Sequence, residues 1–413
     1  MNSQGQGVSV AESDRLETMD MLRGVALLGV FLMNIEFFVR PLHDYGSGVP
    51  AAQGLDYFIG VLIYALVQGK FWVLFSLLFG MGFALMSSRA EAAGRPFVGP
   101  YLRRIILLGL FGAAHVVLFW VGDILLSYAI TALLLLACVR LRGMPAGLAG
   151  AALYFGIAGL WLLGAVGLFF LPESIQEPVR QEMAALAASG AQAQAVYQDG
   201  SFIEAVQQRI ADYQTITLSN MLFQVPMVLG VFLIGRWLVD SGRLQDPAGN
   251  RPFFRKLAVG GLLLGGLGVG SALALGTTFD PVEQVAQSTL ALCLMTLGSL
   301  PMALGYLALM VLASLGPLGR LLRVFVPAGR MALTLYLMQS LIASLIFYGY
   351  GLGLADELGR TAQVLIVFVV FGLQVAFSRW WLARFRQGPL EWLWRAGTHL
   401  RWSPLRRTDT AHG

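Results

Sequence analysis

Four histidines occur in the 413 residues, and one of them, His115, stands inside the apolar run from Leu110 to Phe119. Ionisable side chains are expensive in apolar surroundings, so each one found there is a functional candidate. An imidazole with an ordinary pKa of ~6.5 takes and returns a proton near neutral pH. Asp123 follows eight residues later, just after Gly122, and a carboxylate there would orient or recharge the ring. A tight antiparallel hairpin would lay His115 nearer Ser127 and Tyr128 than Asp123, so a water or a slanted packing is needed to join the pair. The alternative is structural: a neutral histidine bonded to a neighbouring helix, with Asp123 capping a helix start.

Other polar residues interrupt apolar sequence in the same way. Asn34 lies eleven residues beyond Arg23, three turns deeper, with Glu36 nearby. Asp20 and Arg23, three apart, share a helical face and pair with each other, with lipid phosphate or with neighbouring loops. Lys70, beside Gly69 and Phe71, reads as a lysine snorkelling to water or as the counter-charge of an anionic substrate. Thr334, Tyr336, Gln339 and Ser340 form a polar strip, and Gln224 with Pro226 forms a shorter one. Such strips join helices or line a cavity. Arg103 and Arg104 are candidates for holding phosphates. No phosphate-binding glycine loop, zinc-binding H-E-x-x-H, G-x-S-x-G elbow or Cys/His ligand cluster is present in the sequence. We expect no metal site and no bound cofactor.

The elements that carry these residues follow from composition. Apolar types make up 57% and charged types 12%, with a mean hydropathy of +0.70. A water-soluble domain needs about 25% charge to cover itself, so the solvent here is largely lipid. The expected fold is all-α, a polytopic helical bundle with about ten crossings of ~20 residues each: 21–39, 70–88, 102–121, 123–140, 146–171, 219–239, 256–275, 285–314, 328–350 and 360–383. Residues 55–68 read as an interfacial or broken helix leading into the second. Of the 28 cations, 23 fall beside the ends that share a side with the amino terminus, and five (Arg40, Lys70, Arg180, Arg209, Arg360) fall opposite. Arginine-rich short loops face the cytoplasm, which puts both termini inside. The basic balance therefore points to a bilayer and not to nucleic acid.

The chain divides into an inner segment 1–20, a bundle of five spans at 21–171, an outer loop at 172–218, a second bundle of five at 219–383, and an inner tail at 384–413. The outer loop reads as a helical cap. The tail, with Gly388-Pro389 and then Trp392 and Trp394, reads as an interfacial helix. The first apolar run reads as a retained helix and not a cleaved signal. Gly261, Gly265, Gly266 and Gly270 have the small-residue spacing of a helix contact. Cys138 and Cys293 lie in apolar runs, where we expect no disulfide.

Leu22 to Asn34, Gly69 to Gly80, and His115 through Asp123-Ile-Leu resemble the amino-terminal half of the YeiB-like bacterial inner-membrane family. Gly329 to Thr334, Tyr336 to Ser340, Phe347 to Gly353, and Arg386 with Gly388 to Trp394 resemble its carboxyl-terminal domain of unknown function 418. The resemblance covers about 15–140 and 325–400. It implies an inner-membrane helical bundle without fixing an activity. More distantly, Asp20-x-x-Arg23-Gly24 before an apolar helix resembles the first span of sugar-decorating membrane acyltransferases and of the heparan acetyltransferase-like group. In the former a histidine falls near Asn34, so in this chain the base is His115, or His43 in the outer loop.

On that resemblance the expected activity is transfer of an acyl group from acetyl-CoA, another thioester or a lipid donor to an outward-facing hydroxyl or amine. His115, Asp123 and Asn34 (the last donating to an oxyanion) form the reacting group. Asp20, Arg23, Lys70, Arg103, Arg104, Gln224, Tyr336 and Gln339 contact donor or acceptor, a small molecule or a lipid-linked group. The alternative is a transporter or flippase for a small metabolite or lipid-linked sugar, in which the same strips line a path.

Overall fold

The computed structural model describes residues 4–407. The first three and last six residues, the ends of the expected inner segments, lie outside the described residues. Among the described residues there are helices and no strands, as expected where every backbone group in lipid must be satisfied within its own segment. The protein is an all-α, polytopic membrane protein.

Among the described residues, eight segments are long and apolar enough to cross a membrane, nine if one bent pair counts as a span, against the ten expected crossings. The eight are Glu17–Phe38, Gly54–Ala92, Val98–Leu118, Gly143–Leu168, Phe202–Asp240, Arg251–Leu275, Val285–Ser314 and Arg360–Arg384. In helix numbering these include α1 (Gln4–Asn34), α2 (Gly54–Leu66), α3 (Lys70–Ala92), α4 (Val98–Leu118), then after the short α5 (Leu125–Ala137), α6 (Gly143–Leu168). The outer segment folds as α7 (Glu173–Asp199) and α8 (Phe202–Asp212), and a π-helical turn, Tyr213–Thr217, leads directly into α9 (Leu218–Asp240). The rest comprises α10 (Arg251–Leu275), α11 (Val285–Ser314), α12 (Leu318–Leu322), α13 (Val326–Arg330), α14 (Ala332–Phe347), α15 (Arg360–Arg384) and α16 (Pro389–His399).

The ninth segment departs from a straight span over 328–350. Leu318–Arg330 and Ala332–Phe347 meet at 81°, with the break at Met331. The residues before the break pack along the middle of α1, where the Gly329 backbone lies against the Asp20 carbonyl. Packing holds the bend, and no proline sits at it. The fourth segment is also shorter than expected. Residues 119–124 stay non-helical, so α5 begins only at Leu125.

The helices bury three kinds of contact. α1, α3 and α9 are mostly enclosed, with Leu22, Ala26, Leu74, Leu77, Val231 and Leu238 in the core. α10 lies on α11 with backbone-to-backbone contact at Gly261, Gly265 and Gly268, the last facing Gly298. Gly266 and Gly270 face open space instead, because the packed stripe follows 261, 265 and 268. α7 and α8 cover the loop after α1, where Gly190 rests on His43. Both cysteines are free thiols.

Candidate functional site

His115 lies one turn before the end of α4, and its carbonyl accepts from both Phe119 and Trp120 N–H. At that double bond the chain leaves the helix for six residues, 119–124, and the turn swings Asp123 back along α4. His115 Nδ1 and Asp123 Oδ2 are 2.7 Å apart, and both side chains are fully enclosed. The direct bond that a tight hairpin would forbid is made because this connection is not tight. Asp123 Oδ1 accepts from Leu126 N–H at 2.7 Å, so the same carboxylate caps α5 and orients the imidazole. The two sequence readings of Asp123 are thus one arrangement. Gly112 makes it fit: a Cβ there would lie 2.5 Å from Leu126 N and 2.9 Å from Asp123 Oδ1.

The bond to the carboxylate puts the proton on Nδ1 and leaves a lone pair on Nε2. Nε2 is buried without a hydrogen-bond partner, as are Tyr336 Oη and Ser127 Oγ. The Tyr336 ring centroid is 5.0 Å from that of His115. Its hydroxyl lies near Asp123 and the Ile124 amide without forming a well-shaped bond to either. Buried polar groups are nearly always paired. Of these three atoms, those of His115 and Tyr336 belong to neighbouring rings. Tyr213, in the π-helical turn, also faces Asp123. π-helical turns gather at functional positions, and no local pattern marks Tyr213 as a residue that comes near Asp123.

The remaining sequence candidates separate. Asn34 is buried at the end of α1 and makes no hydrogen bond with His115 or Asp123. Gln339 donates to Gln374 Oε1 at 3.1 Å, and Gln374 donates to Leu335 O at 3.2 Å, so this part of the strip ties α14 to α15. Gln224 is half-buried on α9, apart from these groups. Lys70 does not snorkel: it has no exposed surface. Asp20 and Arg23 pair at 2.6 Å, with Arg330 close by.

Arg103 and Arg104 are engaged in holding α16. Arg103 Nε donates to Thr398 O at 2.8 Å, and the Arg104 guanidinium stacks on Trp394 at 3.5 Å, whose indole N–H donates to Arg104 O. Glu391 completes the attachment by accepting from Thr334 N–H and Oγ at 3.0 and 2.6 Å. It thereby caps the start of α14 just past the 81° break. Burial raises the Glu391 carboxyl above its ordinary value despite these bonds. The tail helix therefore docks on α4 and α14 and is not merely laid on the bilayer.

The loop after α1 and the cap hold a second buried polar group that was not expected. Glu36 bonds Arg40 at 2.5 Å and Arg360 at 2.8 Å. Arg209, fully buried, donates to Val117 O on α4 and to Tyr350 Oη. Asp212 accepts from Tyr197 Oη and Gln208, each at 2.7 Å. His43, expected as an exposed loop residue or a rival base, is enclosed with Nε2 4.0 Å from Asp212 Oδ1. Burial lowers its pKa, against the pull of Asp212 and Asp44. Arg209 ties the cap to α4, while the bonds to Asp212 join α7 to α8 and close the carboxyl end of α8; His43 lies enclosed beneath them.

The fold and this site define a class: a multi-pass helical membrane protein with an enclosed His–Asp pair at the turn between two helices. Comparison with known proteins takes it to a family. A model described as a protein of unknown function (DUF418) matches residues 238–401. The uncharacterised protein YxaH of Bacillus subtilis (strain 168) is 32% identical over 95% of this chain and 96% of its own length. The uncharacterised YeiB of Escherichia coli (strain K12) is 32% identical over 92% and 96%. An uncharacterised 39.9 kDa protein from the amylase 3' region of Bacillus acidopullulyticus is 27% identical over 96% and 97%. No solved structure matches. The chain belongs to the YxaH/YeiB family, whose matched domain carries Tyr336 and Glu391, while His115 and Asp123 lie outside it.

Proposed function

We propose that the protein is a membrane acyltransferase of the bacterial inner membrane, with both termini in the cytoplasm and His115 as its base. The reading rests on one observation: an enclosed imidazole held by a carboxylate at 2.7 Å through Nδ1 while Nε2 stays uncommitted. That is the arrangement a general base needs, with a third group fixing tautomer and direction.

In this scheme Nε2 removes the proton from an acceptor hydroxyl or amine. The freed oxygen or nitrogen attacks the thioester carbonyl of a donor such as acetyl-CoA. The new C–O or C–N bond forms as C–S breaks, and the imidazolium returns its proton to the leaving thiolate. The uncommitted Tyr336 hydroxyl donates to the developing oxyanion. Acceptor entry requires α14 and the cap to move, since His115 has no exposed surface. The acceptor is a small molecule or a lipid-linked group.

The test uses purified protein in liposomes with radiolabelled acetyl-CoA and extracted cell lipids or polar metabolites. Wild type releases thiol and labels an acceptor, and His115→Ala does neither while remaining folded. Solute movement across the vesicle without any donor, at equal rates in wild type and variant, would instead establish a transporter.

A further inference from the structure

A second ionisable side chain, far from His115 in the packing, has no such partner. Lys70 opens α3 immediately after the break at Val67–Gly69, within the membrane segment Gly54–Ala92. The chain can turn there because Gly69 adopts φ +83 with its Cα facing Ser299 Oγ. Lys70 is fully enclosed. Its Nζ reaches only Tyr64 O at 3.3 Å and Met295 Sδ at 2.8 Å. Among the described residues no acidic side chain lies against it. The long bond to Tyr64 O takes one of three donors, and a thioether is a weak acceptor.

An ammonium buried without a counter-charge is strongly disfavoured. Here it also sits at the positive end of a 23-residue helix. Interrupted membrane helices elsewhere turn such ends toward anionic groups of bound solutes. Both features call for one negative charge. The surroundings define the rest of the ligand: Tyr64 and Met295 belong to an apolar cluster with Val49, Val269, Phe279 and Met302. A phosphate monoester, with a charge of about −1.5 to −2, would leave charge uncompensated there. Met295, flexible and easily displaced, holds the position that the ligand would take.

We propose that Lys70 and the amino-terminal end of α3 form a binding site for a small carboxylate with an apolar body. The proposal does not rest on acyl transfer at His115. Thermal unfolding of the purified protein tests it, with hexanoate, its uncharged analogue hexanamide, and inorganic phosphate at constant ionic strength. Hexanoate should raise Tm by roughly 2–4 °C at saturation, with no rise from hexanamide or phosphate. Lys70→Met should abolish the rise while leaving basal Tm unchanged or higher, because an apolar replacement removes the buried charge. Lys70→Arg should keep a reduced rise, and His115→Ala should keep all of it. If Lys70→Met does not fold, the three ligand arms on wild type and Lys70→Arg still decide. Equal rises with hexanoate and hexanamide, a rise with phosphate alone, persistence in Lys70→Met, or no rise in wild type would overturn the assignment and leave Lys70 as a cap on the end of α2.

Discussion

His115 and Lys70 are both sealed from solvent on membrane helices, and the chain handles their charge in opposite ways. His115 is given a carboxylate at 2.7 Å, which is itself satisfied by a helix-start amide. Lys70 is given a carbonyl and a thioether. A paired imidazole can exchange a proton without leaving a stranded charge. An unpaired ammonium can only lose its proton or gain an anion. Burial alone therefore says little about an ionisable residue, and the partner decides what it can do. Glu391 offers a third arrangement, a carboxyl pressed toward neutrality by burial while it holds two helices together.

The largest expected effect is on the paired site. His115→Ala should lower acyl transfer roughly 10²–10⁴-fold, the range of general-base catalysis, in initial rates of thiol release; a rate within threefold of wild type would remove His115 from the mechanism. Asp123→Asn should cost about 10²-fold or more in kcat, since the amide no longer fixes the tautomer; a rate within threefold of wild type would reduce Asp123 to a helix cap.

Gly112→Ala tests the geometry without replacing either partner. The added methyl meets the Leu126 amide and Asp123, so it should destabilise by about 1–3 kcal/mol and lower kcat more than it changes KM. The smallest effect concerns Glu391. Its folded pKa lies above the ordinary 4.5, so the folded state holds the proton more tightly than the unfolded state. That stabilising contribution is complete below pH 4.5 and is lost as pH rises through the raised value. Glu391→Gln should flatten Tm against pH in that window, and an unchanged slope would show that another group sets it.

Much of this arrangement is visible in the residues themselves. The apolar runs mark the membrane segments because each must hide its backbone from lipid, and Gly388-Pro389 marks the start of α16. His115, Asp123 and Tyr336 stand out because polar types in apolar runs are rare. Their meeting is a different matter. Nothing local indicates that residues 119–124 stay out of helix, that Tyr336 faces His115 while Gln339 faces Gln374, or that Tyr213 approaches Asp123. Arg103 and Arg104 look like phosphate ligands by type, yet Trp394 and Thr398 claim them from almost 300 positions away.

The sequence by itself determined the solvent, the helices and the short inventory of groups able to move a proton, because those depend on composition and on a period of 3.6 residues. Only the tertiary structure decided which of those groups are paired. The turn after α4, the break at Met331 and the cap over His43 are set by contacts between distant segments, and a carboxylate one ångström nearer or farther decides whether an imidazole is a base or a strut.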